Sequence, residues 1–167
     1  MKKLILICLG VFISYNVISQ TITATTTAQV IAALTAMETS QLNFGKFSPE
    51  TQGGLILLSP EGVLTKHGTV ILVSGTHSSA SFYISGEPNA AFSIILPSGP
   101  SVLKNTLNSK IMIVKEWKSI PSAGVGVGKL IGGSMIIKVG ATLNVGDINS
   151  NPVGIYTGLY DITFSYN

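Results

Sequence analysis

The feature that most constrains the fold is an unbroken alternation of residue types along Met135–Val145. Every second residue of this run is apolar, and the residues between are mostly polar or small. Side chains of a β-strand point alternately to opposite faces, so a period of two predicts a strand with one buried face. After the first nineteen residues no segment shows a sustained helical period, and the sequence therefore predicts an all-β fold.

Shorter apolar runs, separated by Gly, Pro, Asn and Ser, predict further strands. They cover Leu42–Phe47, Gly54–Ser59, Thr69–Ser74, Ala80–Ile84, Phe92–Leu96, Ile111–Trp117 and Gly154–Tyr166. The Gly86–Asn89 turn predicts a hairpin between the strands that flank it. Residues 97–108 and 118–133 are predicted to be long loops. Short strands with such punctuation are typical of an antiparallel β-sandwich.

The first nineteen residues, Met1–Ser19, have the pattern of a secretory signal peptide. Lys2 and Lys3 are basic, residues 4–18 are largely apolar, and Ser19 is a small residue at the cleavage point. A spanning helix needs about 20 apolar residues, which is more than this run offers. The sequence therefore predicts an exported protein, at the cell surface, extracellular or periplasmic, with no membrane span after the leader is removed.

Residues 20–167 are long enough for one domain with a full core. We expect a segment at 20–40 followed by a single domain at 41–167. The formal net charge is +3, but Lys2 and Lys3 leave with the leader and the chain has no arginine. No nucleic-acid partner is predicted, because arginine is the usual reader of phosphate and guanine. The only cysteine, Cys8, lies in the leader, which excludes disulfides and thiolate sites from the exported chain.

No residues in the sequence form a recognisable catalytic, cofactor or metal motif. The glycine run ending at Gly128-Lys129 lacks a glycine at Ala123 and has Leu130 where a phosphate loop needs Ser or Thr. His67 and His77 are the only histidines, and metal sites usually need three or four ligands. We therefore predict no catalytic, cofactor-binding or metal-binding residues, no cofactor and no enzymatic activity.

The segment 20–40 has a weaker alternation of small and β-branched residues. One face carries Ile22, Ala24, Thr26, Ala28, Val30, Ala32 and Leu34. Fully extended, the segment would reach about 70 Å, whereas one sandwich strand needs about 20 to 30 Å. It is therefore long enough for a first strand and a spare one.

Several segments together resemble a bacterial family of secreted proteins known as domain of unknown function 4402. They include Leu42–Phe47, Leu58–Gly62, Ala80–Asn89, Ser93–Pro97, Gly140–Gly146 and Gly154–Gly158. That family is similar to spore-coat-U-like and pilin-like sandwiches. This similarity implies that the chain folds as an immunoglobulin-like Greek-key sandwich. Pilin-like chains tend to end on a strand with a penultimate tyrosine and a glycine fourteenth from the end, which here are Tyr166 and Gly154. The pilin disulfide is missing.

This resemblance leads to a functional expectation. If Gly154–Tyr166 is the sixth strand of a seven-strand sandwich, an apolar groove stays open, and open edges invite added strands. We expect Ile22–Leu34 to be the strand that fills it, with Ile22, Ala24, Ala28 and Val30 pointing inward beside Gly154 and Tyr166. The tail could fill the groove of another copy, or fold back into its own as a self-complemented periplasmic protein.

The expected function is a structural or adhesive surface component whose partner is a copy of itself. A carbohydrate-binding module, whose partner is carbohydrate or a host surface, is the alternative, with Trp117 and the long loops as its site. Trp117 would then be a stacking platform, whereas the other interpretation of this residue is a strand-end tryptophan that caps the core.

Overall fold

The computed structural model describes residues 20–167, so the predicted signal peptide at 1–19 lies outside the described residues. The strands are β1 (Thr35–Ser40), β2 (Lys46–Leu58), β3 (Leu64–Val73), β4 (Ala80–Ser85), β5 (Ala91–Ile95), β6 (Ser101–Asn105), β7 (Ile111–Ile120), β8 (Gly124–Lys129), β9 (Ser134–Val145), β10 (Tyr156–Thr157) and β11 (Thr163–Tyr166). A short 3-10 turn at Ile131–Gly133 precedes β9. Within residues 20–167 no helix is long and apolar enough to cross a membrane.

The strands form one large and one small antiparallel sheet. The large sheet has eight strands in the order β1-β4-β9-β7-β6-β10, with β2 paired to β3 and to β9. The small sheet has the order β11-β5-β8. The central strand is β9, since its first half pairs with β4, its second half with β2, and its other edge with β7. The prediction of an all-β, antiparallel, sandwich-like fold is confirmed.

The strand that the alternation predicts most clearly has the buried face expected of it. Ile137, Val139, Leu143 and Val145 of β9 are at most 2% exposed. On the opposite face Lys138 and Asn144 are exposed, whereas Gly140 and Thr142 are buried. The period of two therefore identifies the buried face of this strand, whose opposite face is also covered at its middle.

The core has two parts. The first joins side chains of the large and small sheets, namely Ala80, Ile84, Phe92, Ile94, Leu130, Ile137 and Val139. The second lies on the β2, β3, β7 and β9 part of the large sheet and comprises Phe44, Ile56, Leu58, Val70, Met112, Val114, Ala141, Leu143 and Val145. Among the described residues no member of the small sheet belongs to the second part.

The predicted hairpin around Gly86–Asn89 is wrong. β4 pairs with β1 and β9, whereas β5 pairs with β8 and β11 in the other sheet. The amides of Gly86 and Asn89 donate to the carbonyls of Gly133 and Leu130, at 3.0 and 2.7 Å. The turn is therefore a corner between sheets. An apolar alternation on both sides of a turn fits a corner as well as a hairpin.

Both predicted long loops contain a strand. β6 lies within residues 97–108, and β8 covers the glycine run within residues 118–133. In β8 a Cβ at Gly128 would overlap the ring of Phe92, which packs beneath it. Close approach to an aromatic ring therefore explains this glycine in a strand, although glycine in general disfavours strands.

Two strand boundaries also differ from the prediction. Leu42–Phe47 and Gly54–Ser59 do not form separate strands, because Lys46–Leu58 is one strand with an irregularity between Pro49 and Gly54. Gly154–Tyr166 is not one strand but two, since β10 pairs with β6 in the large sheet and β11 pairs with β5 in the small one. The chain passes from sheet to sheet at 158–162.

The tail, residues 20–34, forms no strand in the single chain. Ile22 is 85% exposed and Val30 is 97% exposed, and Ala24 and Ala28 are exposed as well. The first strand expected within 20–40 is present as β1. The strand expected over Ile22–Leu34 is not formed within one copy, and its formation on a second copy stays a prediction.

Candidate functional site

A cleft of about 880 Å³ opens over the second part of the core. Phe44, Met112, Val114 and Leu143 of that core reach its base. Around them lie apolar side chains that are only half-buried, namely Leu42, Phe47, Phe82, Leu103, Trp117, Tyr156, Tyr160 and Ile162. The cleft therefore marks the place where a facing strand would bury apolar surface.

Two segments without complete strand pairing form the walls of the cleft. On one wall Lys46–Pro49 pairs with β3, and no second strand pairs with these four residues within the described chain. On the other wall residues 158–162 belong to no strand, and the β11 strand that follows pairs only with β5. Such unpaired edges present backbone donors and acceptors to an added strand.

The exposed rim of the cleft is apolar. Val153 and Leu159 are 94% and 93% exposed, and Ile155 and Ile148 are also exposed. All four line the cleft. Large apolar side chains grouped on a rim favour contact with another protein surface.

Few charges line the cleft. Within residues 20–167 its charged lining residues are Glu38, Lys46 and Asp161. Burial, together with the negative charge of Glu38, raises the pKa of Tyr160 to about 12, so this phenol is neutral at physiological pH. The site therefore suits an uncharged occupant, because a charge placed there would lose hydration without gaining a partner.

Trp117 lies in the cleft but not as an open platform. Its ring is 4.6 Å from that of Tyr160 between centroids, at 32°, and it packs against both parts of the core. One face of the indole is therefore covered. The indole Nε1 and the Tyr160 hydroxyl are buried and have no hydrogen-bond partner among the described residues.

Gly154 is the one predicted strand-complementation residue that lines the cleft. A Cβ at this position would overlap Nδ2 of Asn105, which is 2% exposed. The glycine therefore allows the wall to lie directly on Asn105.

Tyr166 does not line the cleft but lies at the edge of the first part of the core. Its hydroxyl accepts a hydrogen bond from the Glu87 amide at 2.6 Å and donates one to the Ala32 carbonyl at 2.9 Å. The sequence placed Tyr166 in the groove, whereas the structure places it at the base of the tail.

A family model described as Domain of unknown function (DUF4402) matches residues 34–166. The chain belongs to this family. The resemblance drawn from the sequence is thereby confirmed. No curated protein and no solved structure matches the chain significantly.

The DUF4402 match contains both walls of the cleft and every described strand, and it leaves residues 20–33 outside. The groove of an incomplete sandwich stays a prediction, and the sequence does not identify most residues that line this cleft. Leu103 lies in β6, within a predicted loop, and Met112 and Val114 show only ordinary strand alternation in the sequence.

The histidines of the DUF4402 domain lie apart from the cleft. His67 is exposed on β3, and Nε2 of His77 is 3.2 Å from the Gly62 carbonyl oxygen. No group of three or more His, Cys, Asp and Glu that could hold a metal ion exists among residues 20–167.

Proposed function

We propose that this DUF4402 protein is an exported, non-enzymatic structural subunit of a cell-surface assembly, joined to other copies of itself by β-strand addition. In this proposal the domain is an immunoglobulin-like, pilin-like sandwich that lacks one strand. The cleft is the vacant position, and the tail of a second copy fills it. The observation that carries the proposal is a cleft between Lys46–Pro49, which pairs on one edge only, and residues 158–162, which belong to no strand. The cleft lies over a part of the core that contains no residue of the small sheet.

The chemistry of the tail supports this occupant. Residues 20–37 carry no charged side chain, in keeping with a cleft that has few charges of its own. The face that carries Ile22, Ala24, Ala28 and Val30 is apolar apart from Thr26, so it can lie against an apolar cleft. These side chains are exposed in the single chain. Burying them against another copy would stabilise an assembly by about 25 cal/mol per Å² of apolar surface.

The order of elements supports the same arrangement. β11 is an edge strand of the small sheet, and residues 158–162 lead into it beside the cleft. A strand added along this edge would extend the small sheet over the second part of the core. Pairing of this kind gives affinity through main-chain hydrogen bonds and specificity through alternate side chains. Export is supported by the Lys2-Lys3 and apolar pattern of Met1–Ser19.

The face of the tail provides the test. Ala28→Asp with Val30→Asp would place two charges in the apolar cleft of the neighbour without partners. We expect this pair to abolish oligomers of the 20–167 protein in sedimentation velocity.

The matched control is Thr27→Asp with Gln29→Asp, which adds the same charge to the outward face. We expect this control to assemble as the unmodified protein does. Equal behaviour of the two pairs, with no change in assembly, would show that the tail is only a linker and would contradict the proposal.

A further inference from the structure

The base of the tail is held by a closed ring of three hydrogen bonds. The Ala32 amide donates to Oε2 of Glu87 at 3.0 Å, and the Ala32 carbonyl accepts from the Tyr166 hydroxyl at 2.9 Å. The Glu87 amide donates to the same Tyr166 hydroxyl at 2.6 Å. Both backbone polar groups of Ala32 are therefore fixed by two side chains from distant parts of the chain.

The fit around Tyr166 is close. A Cβ at Gly86 would overlap the Tyr166 hydroxyl, so the corner between β4 and β5 admits the phenol only because this position is glycine. The three hydrogen bonds thus join the corner between β4 and β5, the last strand β11 and the base of the tail at Ala32.

The direction of β1 determines where the base of the tail, at Ala32, lies. β1 runs antiparallel to β4, from Thr35 opposite Ser85 to Ser40 opposite Ser81. Glu38, near the second end, is the first residue of β1 to line the cleft. Ala32 therefore lies beyond the opposite end of β1, about 20 Å from Glu38 at the rise of an extended chain.

The part of the tail that precedes Ala32 is long enough for an added strand. Residues 20–31 reach about 40 Å when fully extended. A strand takes about five to six residues, or about 20 Å. The segment can therefore place a full strand in the cleft of another copy while Ala32 stays bound to Glu87 and Tyr166.

We propose that Glu87 and Tyr166 are positioning residues that clamp the tail at Ala32 and so order its base before residues 20–31 enter the cleft of a second copy. This inference rests on the proposed function. The clamp contributes by ordering the base of the tail before association, since fixing backbone residues at the moment of binding weakens affinity.

The test uses two changes at Glu87 in the 20–167 protein. Glu87→Ala removes the acceptor for the Ala32 amide, whereas Glu87→Gln keeps an acceptor oxygen at the same place. Amide hydrogen exchange at Ala32 in dilute monomer reports the clamp itself, and light scattering on dilution reports the dissociation constant of the assembly. We expect Glu87→Ala to lose protection at Ala32 and to raise the dissociation constant about fivefold, with Glu87→Gln within about twofold of the original.

The outcomes separate the clamp from the proposed function. If Glu87→Ala assembles as tightly as the original protein, or if Glu87→Gln weakens assembly equally, the clamp is overturned while assembly by strand addition stands. A chain whose tail occupies its own cleft, seen as a monomer with exchange-protected amides at 22–31, also overturns the inference. If the unmodified protein forms no oligomers, the proposed function itself fails.

Discussion

Tyr160 shows how the cleft acts on a single side chain. Its ring stacks on Trp117, and its hydroxyl is buried without a hydrogen-bond partner among the described residues. Tyr160 lies within residues 154–166, which the sequence predicts as a strand, and it is half-buried. The sequence does not predict the stacking on Trp117, because the two residues meet only through the packing of distant segments.

The phenol of Tyr160 should make stability depend on pH in the alkaline range. Burial raises the pKa of Tyr160 to about 12, above the value of about 10 in an unfolded chain. The folded state holds this proton more tightly, so its stabilising contribution is complete below about pH 10 and is lost as the pH rises toward 12. We expect Tyr160→Phe to remove this part of the decline in melting temperature between pH 9 and pH 11.5.

Tyr83→Phe controls for the loss of a phenol at a 40% exposed position. It should leave the alkaline decline unchanged. Parallel curves for the original protein and Tyr160→Phe would contradict the assigned burial of Tyr160. At neutral pH we expect Tyr160→Phe to be neutral or slightly stabilising, because it removes a buried unpaired hydroxyl.

At the scale of elements, strands with a strong apolar period could be predicted and strands rich in glycine could not. β9 is found within one residue of its predicted start, because its apolar residues alternate without a break. β8 lies within a predicted loop, since glycine has a low strand propensity and the tertiary reason for Gly128 lies in Phe92, far away in sequence. The sequence signal for strand β8 is the alternation of Gly and Val from Gly124 to Gly128.

The packing of β8 on β5 gives a test at this scale. Gly128→Ala would put a methyl group into the ring of Phe92, which is fully buried. Overpacking of this kind costs about 1–3 kcal/mol, so we expect a drop of several degrees in melting temperature by calorimetry.

Gly99→Ala is the matched control, since a Cβ at Gly99 meets no atom within 4 Å. It should change stability by no more than about 0.5 kcal/mol. If both substitutions are equally mild, then β8 does not lie against Phe92 as described.

For the whole molecule, the sequence predicts the class of fold but not the division of strands between sheets. The last segment illustrates the reason. Tyr156, Ile162 and Phe164 are half-buried at even spacings within residues 154–166, yet the backbone pairs with β6 at one end and with β5 at the other. Side-chain period reports which face is buried, whereas strand partners depend on long-range contacts that leave no local pattern. The cleft lies where this segment crosses between the sheets.

Assembly by strand addition is tested most directly by amide hydrogen exchange on the 20–167 protein, measured by mass spectrometry below and above the concentration at which it assembles. We expect the amides at 22–31 to exchange freely in the dilute monomer. On assembly they should become protected, together with the amides at 158–162 on the wall of the cleft. Strand addition would give both segments hydrogen-bond partners. A protein that stays monomeric at every concentration, or that assembles while residues 22–31 exchange freely, would contradict assembly by strand addition.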